Sequence, residues 1–104
     1  MADHRINVDK LPRVVELNVG DTFVIDLREN PTTGYRWQAS PASQLVPSGD
    51  EFLAQGNAAA GSSGVRTLKF TPLSVGKGTV MLELRREWET GAPQQSVTIA
   101  YEAK

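Results

Sequence analysis

Asn30-Pro31-Thr32-Thr33-Gly34-Tyr35-Arg36-Trp37 joins two alternating apolar runs and is punctuated as a stiff turn. Pro31 fixes its own φ near about −65° and pushes Asn30 out of the helical region, while Gly34 can take a positive φ that Thr33 would hold only at a cost. The Asn30 side chain can bond back to backbone N–H groups two residues on, which makes such a turn self-supporting. Two hydroxyls and two aromatics are more chemistry than a turn requires. On these residues alone two readings stand: a plain connection with Tyr35 and Trp37 in the core, or a rigid recognition loop.

Working outward, the runs on either side repeat with a period of two, the mark of half-buried strands. Phe23, Ile25 and Leu27 precede the loop, and Tyr35, Trp37 and Ala39 follow it. Upstream, Val15, Leu17 and Val19 alternate in the same way, and Gly20-Asp21 reads as a tight turn that makes residues 13–19 and 22–27 neighbours. Downstream, residues 40–49 contain Pro41 and Pro47 and read as a longer connection with room for one short turn of helix. Residues 50–55 form a brief strand around Phe52, and residues 56–64, GNAAAGSSG, are nearly free of side chains. Alternation resumes with Leu68 and Phe70 over 65–71. It continues with Val80, Leu82 and Leu84 over 79–87, on a face that extends through Arg86 to Trp88, and then with Val97, Ile99 and Tyr101 over 95–102. Residues 1–12 are polar and read as an N-terminal arm or a short edge strand ahead of a domain over 13–104.

About seven strands at regular spacing, with turn signals between them and no 3.6-residue stripe, predict an all-β fold: an antiparallel, immunoglobulin-like β-sandwich. The sequence has no cysteine, so no disulfide supports the sandwich and neither a thiolate nucleophile nor a thiolate metal site is available.

With 104 residues the chain fits one domain. Eleven basic residues are interspersed with twelve acidic ones, which leaves no basic face for nucleic acid and no polybasic tract for a membrane. No apolar run approaches the ~20 residues that span a bilayer, and residues 1–10 are too polar for a signal peptide. A soluble chain is expected, periplasmic or secreted if a signal has been removed. A serine triad would have to recruit the single histidine, His4, from the terminal arm, and a carboxylate pair such as Glu87 and Glu89 reads as a solvated strand end. Catalysis, a metal and a cofactor are therefore not expected.

In a sandwich whose strands run alternately up and down, successive connections fall at opposite ends. Gly20-Asp21, residues 40–49 and residues 72–78 then share one end and are ordinary turn material. The Asn30 loop, the glycine-rich strip and the Trp88 loop share the other. A stiff hydroxyl-bearing wedge, a flat backbone strip and an aromatic anchor at one end of a rigid scaffold are what recognition uses. A module that grips a carbohydrate or another protein through the same loops is the alternative, since Tyr35, Trp37 and Trp88 can stack on sugars.

Three elements of the chain carry a family resemblance. Asn30-Pro31-Thr32-Thr33-Gly34-Tyr35 with Trp37 resembles the N-P-T-T-G-[YF]-x-W signature of the chagasin-like inhibitors of papain-type cysteine peptidases. Gly61-Ser62-Ser63-Gly64 is similar to that family's G-x-x-G element, and Arg86-Glu87-Trp88 to its R-P-W element, with Glu87 in place of the proline. The resemblance implies a reversible, tight-binding, monomeric inhibitor of papain-like, cathepsin-type cysteine peptidases. Thr32 and Thr33 would sit at the catalytic centre, Gly61 and Gly64 would border one side, and Trp88 would pack on aromatic surface on the other. Asn30, Pro31, Gly34, Tyr35, Ser62, Ser63 and Arg86 complete the implied contact set. Glu87 frees φ at its position and places a negative charge beside the anchor.

Overall fold

In a computed structural model of the chain, which describes residues 2–30, 34–54, 64–86, 88 and 91–104, the alternating runs become strands of two facing sheets. Those strands are β1 (Asp3–Asn7), β2 (Val15–Leu17), β3 (Thr22–Glu29), β4 (Tyr35–Pro41), β5 (Leu45–Ala54), β6 (Gly64–Pro72), β7 (Gly76–Arg86) and β8 (Gln95–Ala103). One sheet has the order β1-β3-β6-β5 and the other β2-β8-β7-β4. Together they form an immunoglobulin-like β-sandwich. The β3–β6, β5–β6, β4–β7 and β7–β8 pairs are antiparallel, and β1 and β2 join β3 and β8 in parallel.

The period of two places the core between the sheets. Phe23, Ile25 and Leu27 of β3 face Val80 and Leu82 of β7, Ile99 and Tyr101 of β8, and Trp37 of β4 in one buried cluster, with Leu68 and Phe70 beside them. Each such side chain, fully buried, contributes about 1.5–3 kcal/mol relative to exposure. Gly78 lies opposite Tyr101 on β8, and a Cβ there would come within 2.9 Å of the Tyr101 ring. The glycine leaves the room that the ring occupies.

Several expectations are corrected. Residues 13–19 and 22–27 are not neighbours in one sheet, because β2 pairs with β8 and β3 with β1 and β6. The turn between them crosses from one layer to the other, so β2 stops at Leu17 and Val19, expected on the buried face, is 41% exposed. Residues 40–49 are mostly strand. β4 runs to Pro41 and β5 starts at Leu45, with a register shift between Pro47 and Gly49. Both are edge strands, where a proline's missing N–H leaves no ladder bond unmade and a bulge absorbs the extra residue. The single described turn of helix lies instead at Val8–Lys10, where the Asn7 side chain accepts the Asp9 N–H.

At the end reached by Gly20-Asp21, the connections are tied mainly by backbone. Gly20 donates to the Pro72 carbonyl, Leu73 to that of Gln44 and Asp21 to that of Asn18. The buried Asp21 carboxylate accepts the N–H groups of Ala2 (3.1 Å) and Asn18 (2.9 Å) and lies 2.7 Å from His4 Nε2. Those two backbone donors first, and then His4, lower its pKa to about 2. A carboxyl that ionises more readily folded than unfolded makes stability rise with pH across the window between its two pKa values. Stability from Asp21 is thus complete above about pH 4 and is lost as pH falls toward about 2. Denaturant midpoints measured from pH 5 to pH 2 should fall for the parent chain, and more shallowly for Asp21→Asn. Parallel curves would remove this role.

Candidate functional site at the loop end

The strand register brings the three loops to one end. Glu29 pairs with Gly64, which also pairs with Ala54, so the Asn30 loop and the glycine-rich loop leave the first sheet side by side. In the second sheet Tyr35 pairs with Arg86, and Leu84 with Gln95, so the Trp88 loop rises from the same end. The two sheets meet at Trp37. Its ring nitrogen donates to the Arg28 carbonyl (2.8 Å) and its backbone N–H to Glu29 Oε2 (3.0 Å). Both ends of the Asn30 loop are thereby fastened to each other across the sandwich.

The described part of the Asn30 loop packs directly on the Trp88 loop. Gly34 has φ +79°, and a Cβ there would fall 2.5 Å from Trp88 Cη2. The indole lies against a backbone that only glycine permits so near. Trp88 is nevertheless 71% exposed, so it does not serve as a lid over the core. Arg86 joins the two loops from below, its guanidinium 4.4 Å from the Tyr35 ring centroid and 5.9 Å from that of Trp88. Farther along the same loop, Arg85 Nη1 donates to the Gly91 carbonyl (2.5 Å) and Gln94 to that of Leu84 (2.9 Å).

Of the residues singled out from sequence, Asn30, Gly34, Tyr35, Gly64, Arg86 and Trp88 are brought together here. Pro31, Thr32, Thr33, Gly61, Ser62, Ser63 and Glu87 lie outside the described residues. Two residues that the sequence reading passed over stand at the base of the site. Glu29, 3% exposed, takes Arg66 in a fork: Nη2 donates to Oε1 (2.7 Å) and Nε to Oε2 (2.8 Å). Arg66 Nη1 also donates to Asp50 Oδ1 (2.7 Å), and its guanidinium lies 5.4 Å from the Phe52 ring centroid. The hydrogen bonds to Glu29 are the main reason the guanidinium pKa is raised above its ordinary value. A signal existed in the sequence. Glu29 continues the inward series Phe23, Ile25, Leu27, and Arg66 continues Leu68 and Phe70, so opposite charges occupy inward positions on adjacent strands.

A family model for the chagasin family peptidase inhibitors, I42, matches residues 16–102. The chain belongs to the chagasin family. As a family member it is an inhibitor and not an enzyme. Among its relatives is amoebiasin-2 of Entamoeba histolytica, 33% identical over 88 residues that span 81% of this chain and 72% of the relative. Amoebiasin-1 of the same organism is 32% identical over 82 residues, 77% of this chain and 79% of the relative. The crystal structure of EhICP2, a cysteine protease inhibitor from Entamoeba histolytica, superposes with a TM-score of 0.89 at 28% identity, covering 99% of this chain and 96% of that one. PbICP-C, solved in complex with falcipain-2, shares the fold alone, with a TM-score of 0.70 at 12% identity over 96% and 98% of the two chains.

In this chagasin-family chain the close approach at Gly34 makes a direct prediction. Gly34→Ala introduces a positive-φ alanine and drives a methyl into the indole, so it should cost on the order of 1 kcal/mol or more. It should also shift the Trp88 fluorescence while leaving the far-ultraviolet circular dichroism of the sheets unchanged. An unaltered indole signal would mean that the two loops are not packed together in solution.

Proposed function

We propose that the chain is a reversible, tight-binding inhibitor of papain-type cysteine peptidases that occludes the active-site cleft with its loop end. The observation that carries this reading is the joint packing of the Asn30 loop and an exposed Trp88 across Gly34. A wedge and an aromatic anchor held as one unit lose little conformational freedom on binding, so more of the contact energy appears as affinity. The cysteine protease inhibitor named among its structural relatives, alike over nearly the full length of both chains, supports the same partner class.

In this reading Asn30 and Pro31 stiffen the approach, and Thr32 and Thr33 enter the cleft near the peptidase thiolate. Their hydroxyls satisfy polar groups that a dry cleft would leave unpaired. Gly34 and Tyr35 seat the wedge on the scaffold. Gly61, Ser62, Ser63 and Gly64 offer backbone on one flank. Arg86 and Trp88 cover the other, with the tryptophan as the energetic centre of that contact. No carbonyl needs to be offered to the thiolate in attack geometry, so the inhibitor is not consumed. An interface of roughly 800 Å² on this partner, the usual size for such complexes, fits three loops at the end of a small sandwich.

The experiment is a titration of the chain into papain while hydrolysis of a fluorogenic peptide is followed, with trypsin alongside. Stoichiometric loss of papain activity, recovered on dilution with the inhibitor chain intact, is expected, with trypsin unaffected. Thr32→Asp should weaken inhibition by placing a charge in a desolvated cleft. Trp88→Ala should cost about 2 kcal/mol or more of affinity while the fold is kept. Papain and cathepsin-like enzymes left untouched by the parent chain would overturn the proposal.

A further inference from the structure

We infer that Glu29 and Arg66 are positioning residues: the buried carboxylate and its half-buried guanidinium partner fix the Asn30 loop and the glycine-rich loop relative to each other, without contact with the bound peptidase. The consequence for binding rests on the inhibitor reading above; the positioning itself does not.

Four observations converge on this pair. First, Glu29 is the residue immediately before Asn30, and its carboxylate takes the backbone N–H of Trp37 at the far side of the same loop, eight residues on. One side chain thus closes the loop at its base. Second, that N–H belongs to β4, an edge strand of the opposite sheet, so the contact also fixes the spacing of the two sheets at this end. Third, Arg66 lies two residues after Gly64, where β6 begins at the close of the glycine-rich loop. Its fork on Glu29 joins that loop's exit to the entry of the Asn30 loop. Fourth, the remaining Arg66 terminal nitrogen reaches Asp50 on β5, the strand that leads into the glycine-rich loop. Strands β3, β4, β5 and β6 are tied to one guanidinium–carboxylate unit.

Stability alone does not explain this arrangement. Apolar side chains of similar volume can replace a buried ion pair with little loss, because they carry no desolvation penalty. What they cannot supply is direction. A forked guanidinium and a carboxylate with its oxygens filled accept few relative orientations, whereas two methionines accept many. The pair is therefore suited to setting loop geometry, and preorganised loops bind with less ordering cost.

The test is Glu29→Met combined with Arg66→Met, with Leu45→Ala as a control that loosens the core away from this pair. Folding is checked by circular dichroism and denaturant melts, and hydrogen exchange is read in the free chain. The double variant should remain folded, with the amides of Gly34, Tyr35, Arg36 and Trp37 exchanging ten-fold or more faster. Amides of Val24, Leu82 and Ile99 should keep their parent rates. Its inhibition constant against papain should rise ten-fold or more, while Leu45→Ala inhibits as the parent does. If the double variant does not fold, Arg66→Lys, which keeps the charge and gives up the fork, takes its place with the same expected pattern. Loop amides that exchange at the parent rate overturn the inference whether or not papain is inhibited, and faster exchange with inhibition unchanged overturns its consequence for binding. A parent chain that fails to inhibit papain overturns the proposed function alone, since the exchange data still decide whether the pair holds the loops.

Discussion

A carboxylate removed from water must have its oxygens filled, and the loop end of this sandwich is organised by how Glu29 meets that demand. Between the sheets, inward positions along β3, β6, β7 and β8 are mainly apolar and are held by packing. At the loop end the same inward series arrives at Glu29 and Arg66 in one sheet and at Tyr35 and Arg86 in the other. Apolar residues in place of the charged ones would favour no single loop arrangement. The two polar pairs close the end in different ways: an ion pair with its hydrogen bonds made inside, and a guanidinium stacked on aromatic faces nearer the surface.

The exposed Trp88 follows from that closure. An indole left in water forgoes burial that would stabilise the fold, so a chain selected for stability alone would cover it. Here the ring is supported on one side by the Gly34 backbone and approached from below by Arg86. Most of the ring is nevertheless exposed. Support from beneath limits the conformations the ring visits without removing the surface that a partner would cover, which is the condition for a preorganised anchor. Gly34 serves both purposes, since its positive φ turns the chain and its missing Cβ admits the indole.

Much of the fold was legible because a half-buried strand writes its own period. Phe23, Ile25 and Leu27, and again Val80 and Leu82, alternate because one sheet face is dry, and their burial follows from the spacing. The pairing partner of a strand is not written in the same way. Val15 and Leu17 alternate as well on β8 as they would on β3, so the crossing at Gly20-Asp21 could not be read from the run itself. Pro41 and Pro47 misled because proline is a strong breaker in central strands but not on edges, and edge position is a tertiary fact. At the site, the turn chemistry of Asn30, Gly34 and Trp88 is local and therefore readable. Glu29 and Arg66 are 37 residues apart, and each alone reads as an ordinary charged residue at a strand end.

The two ends of the molecule are held by different kinds of bond, and this separates the fastening of the loop end from that of the rest of the fold. At the Asp21 end, connections are fastened chiefly by main-chain groups, Gly20 to Pro72 and Leu73 to Gln44. Such bonds ask little of the side chains. At the loop end, the fastenings are side chains: Glu29 to Trp37 and Arg66, Arg86 over Tyr35, and an indole on Gly34. Sequence is therefore tightly specified at the loop end, while the core beneath depends on apolar period and volume, which many residue choices satisfy. Substitutions in the loops away from these contacts can then change loop chemistry without withdrawing support from the sheets. The scaffold tolerates such change only while the inward charged pair and the Gly34–Trp88 contact remain, because those contacts join the loops to the fold.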